Sequence, residues 1–142
     1  MTMLEDLQSM LAEFNRDYPR PGLPPLVLSE PYDLVEHWRR KMTWPSSNLA
    51  GIYVILDGAF RVRYIGKSSW NSNIGTRLGA HFKNGADKVA ESRYQDWQEA
   101  GLRYVVTIGL PPAHAFEAPA IEEYLVTRSQ DLLNVHGMSG ER

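Results

Sequence analysis

The chain contains no cysteine, which excludes disulfides and every metal site built on thiolates. No apolar run approaches the ~20 residues that a membrane-spanning helix needs. The opening stretch Met1-Thr2-Met3-Leu4-Glu5-Asp6 is acidic where a secretory leader would be basic and then apolar, so a cytoplasmic location is the expectation. There is no Gly-rich phosphate-cradling loop, no His-Glu-x-x-His, no internal repeat and no low-complexity tract. Nor is there an overall positive charge: the formal net charge is −2, so total charge alone gives a nucleic-acid partner little support. What is present is 142 residues of ordinary globular composition, enough for one domain with a sizeable core.

Charge is unevenly placed. Met1 to Glu36 carries seven acidic residues against Arg16 and Arg20, a net of −5. From Arg61 to Lys83 the charged residues are Arg61, Arg63, Lys67, Arg77 and Lys83, five cations and no anion. That asymmetry predicts a basic surface on an otherwise acidic protein, carried by Arg61, Arg63, Lys67 and Lys83, which become DNA-contacting candidates through the motifs that this segment also holds, described below.

Periodicity supplies the elements. Leu4, Leu7, Leu11 and Phe14 recur at helical spacing, predicting an amphipathic helix over 3–15. Pro19, Pro21, Pro24 and Pro25 then interrupt regular structure. A second helix is expected over 32–42, with Arg39-Arg40-Lys41 suiting the negative end of its dipole. Residues 1–48 therefore read as a helical extension of a 49–142 domain. Within that domain 51–56 and 62–67 read as strands joined by an Asp57-Gly58 hairpin signal. Helices are expected over 74–82, 93–100 and 116–129, and a strand over 102–108. The order predicts a small α/β (α+β) fold.

Within that frame lies an ordered set of residues. Gly51-Ile52-Tyr53 and Tyr64-Ile65-Gly66 fall in successive strands, their tyrosines 11 positions apart. Arg77 follows Tyr64 by 13 residues, and His81 stands four further on, sharing its helical face. Glu122 and Asn134 come later, 12 apart. This set resembles the GIY-YIG nuclease family, over roughly Ala50 to His136. Two departures are visible: Ser68 to Thr76 is a few residues longer than usual, and Gln130-Asp131-Leu132-Leu133 replaces the proline often found before the asparagine.

The resemblance implies a three-stranded, mainly antiparallel sheet flanked by helices. It also implies a metal-dependent endonuclease that hydrolyses DNA phosphodiester bonds, of restriction, phage-defence, phage or mobile-element type. A nuclease acting on RNA and a non-catalytic binding module on the same fold are the alternatives. Tyr53 takes the role of general base on the attacking water and Tyr64 a hydrogen-bonding role near the scissile phosphate. Arg77 becomes the phosphate clamp, a role its paired donors suit. His81 pairs with Tyr53 or the phosphate, and Asn134 contacts the phosphate or fixes the Glu122 region. Since a free phenol ionises near 10, Tyr53 needs a cation beside it, and Lys67 on the next strand is the expected helper.

Glu122 must be told apart from Glu123. Ala118, Glu122, Leu125 and Ser129 form one stripe, which carries the core-facing residues; Glu123 shares its stripe with Pro119, Thr127 and Gln130. Glu122 is therefore the expected metal ligand. A lone carboxylate suits Mg²⁺ or Mn²⁺, which keep waters and borrow substrate oxygens. Gly66 is expected where something must approach a strand closely. His37, His114 and His136 have no assigned role. Residues 1–48 are expected to extend the core of a monomer or to bury Leu7 and Leu11 in a homodimer.

Overall fold

The computed structural model describes residues 1–134. Its centre is a four-stranded antiparallel sheet in the order β1-β6-β2-β3, where β1 is Tyr32–Asp33, β2 Ala50–Asp57, β3 Val62–Ser68 and β6 Leu102–Leu110. A hairpin of β4 (Phe82–Asn84) and β5 (Ala90–Ser92) stands apart from it. The helices are α1 (Leu4–Asp17), α2 (Glu36–Arg39), α3 (Ile74–His81) and α4 (Ala118–Thr127).

β2 is buried along its whole length because it is central and covered on both faces. Its alternating residues therefore feed two cores. Ile52, Val54 and Leu56 pack with Leu7 and Leu11 of α1 and with Ile121 and Leu125 of α4. Tyr53 and Ile55 pack with Ile74 and Leu78 of α3, Phe82, Trp97 and Tyr32. Gly51 opens the strand at φ +148°, and a Cβ there would collide with the Ile108 carbonyl of the adjoining strand. Only glycine lets β2 and β6 pair at this point.

The expected three-stranded sheet is present as β6-β2-β3 and gains β1 as an edge. This strand replaces the start of the helix predicted over 32–42, which shrinks to α2. The reason is Asp33. Its carboxylate accepts from the Val35 and Glu36 amides and pairs with Arg103 of β6 at 2.8 and 3.0 Å. Those bonds satisfy the backbone in a turn rather than a helix. The helix predicted over 93–100 is a 3₁₀ turn at Gln95–Ala100, and α4 is preceded by a second 3₁₀ turn, Pro112–Glu117.

Residues 1–48 lie on both faces of the sheet. Leu7 and Leu11 are 0% and 4% exposed within their own chain, and Phe14 packs edge-on against Tyr124 of α4. The apolar stripe of α1 is thus consumed internally, which leaves Leu7 and Leu11 unavailable to a second copy. On the opposite face Trp44 bridges Tyr32, Trp38 and Phe82. Among the described residues no helix is long and apolar enough to cross a membrane.

Candidate active site

The β2–β3 register sets Tyr53 directly opposite Gly66 and Ile55 opposite Tyr64. Cross-strand partners share a face, so both tyrosines project from the same side of the sheet. The Tyr53 phenol lies over Gly66, and a Cβ at that position would run into the ring. The close approach expected at Gly66 is therefore made by a side chain of the site itself. The rings of Tyr53 and Tyr64 stack at 6.1 Å, and both residues are fully buried.

Helix α3 crosses beneath them. Asn73 caps it by accepting the Thr76 amide at 2.7 Å, and its first turn is tied down by Ile74 and Gly75 amides donating to the Leu49 and Ser47 carbonyls. Arg77 and His81 then face the tyrosines. The Tyr53 hydroxyl and His81 Nε2 are 3.0 Å apart. Trp97 stacks on the His81 ring at 5.4 Å with an interplanar angle of 12°, and Tyr94 meets it edge-on at 5.3 Å. Trp97 also packs on Tyr64 at 4.8 Å. The sequence shows Tyr94 and Trp97 only as parts of the helix expected over 93–100. Their spacing of three was the available signal, but nothing local says that they enclose a histidine.

Glu122 enters from the other side of β3. It is 3% exposed on α4, between Ile121 and Leu125, while Glu123 is exposed. Its Oε2 is buried without a hydrogen-bond partner, as are Nε of Arg77 and Oγ of Ser68. Burial pushes the Glu122 carboxyl from 4.5 up to about 7, against the pull of Lys67 and Arg77. An unsatisfied buried carboxylate is costly and rarely left so without a use. Among the described residues no group of three or more His, Asp or Glu converges as a metal cage. A divalent ion that keeps most of its waters needs only a single carboxylate, and Oε2 of Glu122 is, among the described residues, the one acidic oxygen that is buried without a partner.

Burial raises the Tyr53 phenol above its usual 10.0, and the Arg77 guanidinium beside it pulls it back. Tyr64 is raised too, by burial first and then by Tyr53. The helper expected for Tyr53 was Lys67, and this is corrected: the neighbouring cation is Arg77. Lys67 follows Gly66 on a strand, so it points to the opposite face, where it attends Glu122.

Asn134 does not reach into this constellation. Its amide grips the backbone of Ile65 on the outer edge of β3, accepting from the nitrogen at 3.1 Å and donating to the carbonyl at 2.7 Å. Beside it the Leu133 amide donates to the Arg63 carbonyl. Asn134 thus acts as a clamp that holds the chain after α4 against the strand carrying Tyr64 and Lys67.

The expected basic face is thinner than its sequence. Arg61 sits at the β2–β3 turn, paired with Asp57 at 3.0 Å. Lys83 lies opposite Glu91 in the β4–β5 hairpin. Arg63 is half-buried, with its Nε enclosed and unpartnered. Lys67 and Arg77 remain as the cations at the site. His37 accepts the Asp33 amide at 2.8 Å and His114 lies 3.4 Å from Glu117, both away from the tyrosines. His136 lies outside the described residues. A separate cavity of about 400 Å³ between the proline-rich segment and β6, lined by Pro24, Leu26 and Thr107, carries none of these groups.

Comparison with protein-family models, curated proteins and solved structures returns no match.

Proposed function

We propose that the chain is a metal-dependent endonuclease of the GIY-YIG type, hydrolysing DNA phosphodiester bonds at the β3 edge. The observation that carries this reading is the Tyr53–His81 contact beside Arg77, with Glu122 near enough for its charge to act on both phenols and on Arg77 and with its buried Oε2 unpartnered. Two phenols, an imidazole, a guanidinium and a carboxylate of raised pKa, gathered from four elements, form the kind of perturbed cluster that marks a reaction site.

Each group has a task that its surroundings suit. Tyr53 is buried, so its hydroxyl cannot shed a proton to bulk water; Nε2 of His81, at 3.0 Å, is the acceptor in reach. An attacking water passes its proton to the Tyr53 oxygen while the phenolic proton moves to His81. Trp97 and Tyr94 hold the imidazole in the orientation that receives it. Arg77, whose guanidinium stands beside Tyr53, supplies the positive charge for a phosphoryl oxygen, where negative charge grows in the transition state. Glu122 is the residue that would hold a divalent ion, and such an ion supplies Lewis-acid stabilisation of the phosphoryl charge. Lys67 beside it keeps the carboxylate partly ionised at neutral pH.

Nicking of supercoiled plasmid tests the reading. Conversion to the open circle is expected with Mg²⁺ or Mn²⁺, none in EDTA, and a loss of several orders of magnitude for Glu122→Gln and Arg77→Ala. A binding module would retard the plasmid in a gel and leave it intact in both buffers. Undiminished nicking by Glu122→Gln would overturn the assignment.

A further inference from the structure

Resting on the nuclease reading, we propose that Trp70 is a stacking platform for an unpaired base next to the phosphodiester that is cut. Four tryptophans are present. Trp97 is 2% exposed and Trp38 and Trp44 are half-buried, whereas Trp70 is 83% exposed. An indole offers the fold one of its largest apolar payloads, and this one is left in water. A single exposed apolar residue is unremarkable on its own; its position supplies the argument.

Trp70 stands in the lengthened connection between β3 and α3, the segment that joins Gly66 and Lys67 to Arg77. The connection turns tightly, with the Ser72 amide donating to the Ser69 carbonyl at 3.2 Å and Asn71 at φ 63°. The strand holds it on one side. On the other, the Asn73 cap and the Ile74 and Gly75 anchors hold it. With its loop backbone tied at both ends, less chain has to be ordered when the ring is covered. Its neighbours Ser69, Asn71, Ser72 and Asn73 are polar and uncharged, and no acidic residue occurs from Gly58 to Ala86. The loop therefore presents a bare π-face flanked by amide and hydroxyl groups, with Lys67 before it and Arg77 after it. Ser68, at the loop's root, keeps a buried Oγ without a partner.

That arrangement matches a nucleotide better than a protein surface. The indole takes a base, whose face is apolar and whose edge seeks uncharged hydrogen-bonding groups, and the absence of acidic residues from the segment leaves nothing to repel the adjoining phosphates. In an intact duplex both faces of every base are occupied by neighbours. An accessible face exists only at a bulge, gap, flap or frayed end, or where stacking is broken at a cost of a few kcal/mol. The platform thus selects DNA with an unpaired nucleotide beside the cut.

The test is a titration of the intact chain, in EDTA so that nothing is cleaved, with two fluorescein-labelled duplexes: one fully paired, one with a single bulged 2-aminopurine. Wild type should bind the bulged duplex more tightly, quenching the 2-aminopurine. Trp70→Ala should lose that preference, weakening about ten- to a hundred-fold on the bulged duplex, with little change on the paired one. Trp70→Phe should retain most of the preference, and both variants should unfold within about 1–2 °C of wild type, since the side chain is 83% exposed. Equal binding of the bulged duplex by wild type and Trp70→Ala, or equal loss on both duplexes, would overturn the proposal while leaving the nuclease reading intact. Failure of wild type to bind or cut any DNA would remove both.

Discussion

The carboxyl of Glu122 should make the protein less stable over the pH range in which, folded, it would have to give up its proton to serve as a ligand. In the unfolded chain this group ionises near 4.5; in the folded chain it holds its proton until about 7. Between those values the unfolded state is the one that has lost its proton, so stability falls as pH rises and levels off above 7. The gap of roughly 2.5 pH units corresponds to roughly 3 kcal/mol. The attraction of Lys67 and Arg77 is already contained in that figure, because both pull the carboxyl down and burial still prevails.

Glu122→Gln keeps the shape and removes the charge. At pH 8 the variant should be more stable than wild type by up to about 3 kcal/mol, a rise of roughly 5–10 °C in unfolding temperature. At pH 5 the gain should shrink to under about 1 kcal/mol, because wild-type Glu122 is then protonated when folded. Any constant cost of an amide beside two cations cancels in the comparison across pH. The assay is calorimetric or circular-dichroism unfolding of both proteins at pH 5 and 8 and equal ionic strength. Mg²⁺ should then raise the unfolding temperature of wild type at pH 8 and not that of the variant. An identical difference between the two proteins at both pH values would show that the carboxylate is not desolvated, and the account of Glu122 would fall.

Three further outcomes follow from single contacts. Gly66→Ala should displace the Tyr53 ring, costing about 1–3 kcal/mol of stability and far more of the plasmid-nicking rate than of DNA affinity. Asp33→Asn should destabilise by about 1–2 kcal/mol at neutral pH: pairing with Arg103 holds that carboxyl down at about 2, part of the gain being screened because Arg103 is partly exposed, and chemical denaturation should show the loss vanish as pH falls from 3.8 towards 2. Lys67→Gln should reduce the slope of log affinity against log salt by about one, and Arg61→Gln, whose side chain is taken up by Asp57, should change it far less.

How far the sequence disclosed this arrangement depends on how far apart the determining residues lie. The choice of Glu122 over Glu123 was legible because a helix repeats every 3.6 residues and Leu125 marks the buried side. The tyrosines and their hairpin were legible because a short turn between β-rich runs leaves little choice of partner. The face of Lys67 could also have been read: it is three residues from Tyr64, an odd number, and a strand sends such residues to opposite sides. The steric demand at Gly66 needs the register, which the sequence leaves open by one or two residues. β1 and the shortened α2 depend on Asp33 meeting Arg103, 70 positions away, and no local pattern contains that meeting. The same holds for Trp97 over His81. Asn134 was visible as a conspicuous residue, but its grip on Ile65 spans 69 positions.

If Tyr53 serves as the base proposed for it, its burial favours one of two ways of doing so. A free phenolate would have to form first, and here burial drives the phenol above 10.0, with Arg77 recovering only part of the loss. Were phenolate the base, the rate would climb tenfold per pH unit through the neutral range towards 10 and beyond. The 3.0 Å contact to Nε2 of His81 offers the other way: a proton handed on as the water's proton arrives, with no free phenolate at any stage. Under that scheme the acid limb of the profile belongs to Glu122, which must lose its proton before it can hold a metal ion, so raising the Mg²⁺ concentration should carry the limb to lower pH. The rate should rise about tenfold per unit along that limb and flatten above it. Tyr53→Phe should abolish cutting, since it removes the relay's first atom. His81→Phe should cost almost as much while leaving DNA affinity in place, because the imidazole handles the proton and not the phosphate. A single-turnover rate that keeps rising from pH 7.5 to 9.5 at saturating Mg²⁺, or one that survives His81→Phe with its profile unchanged, would return the role of base to the bare phenolate.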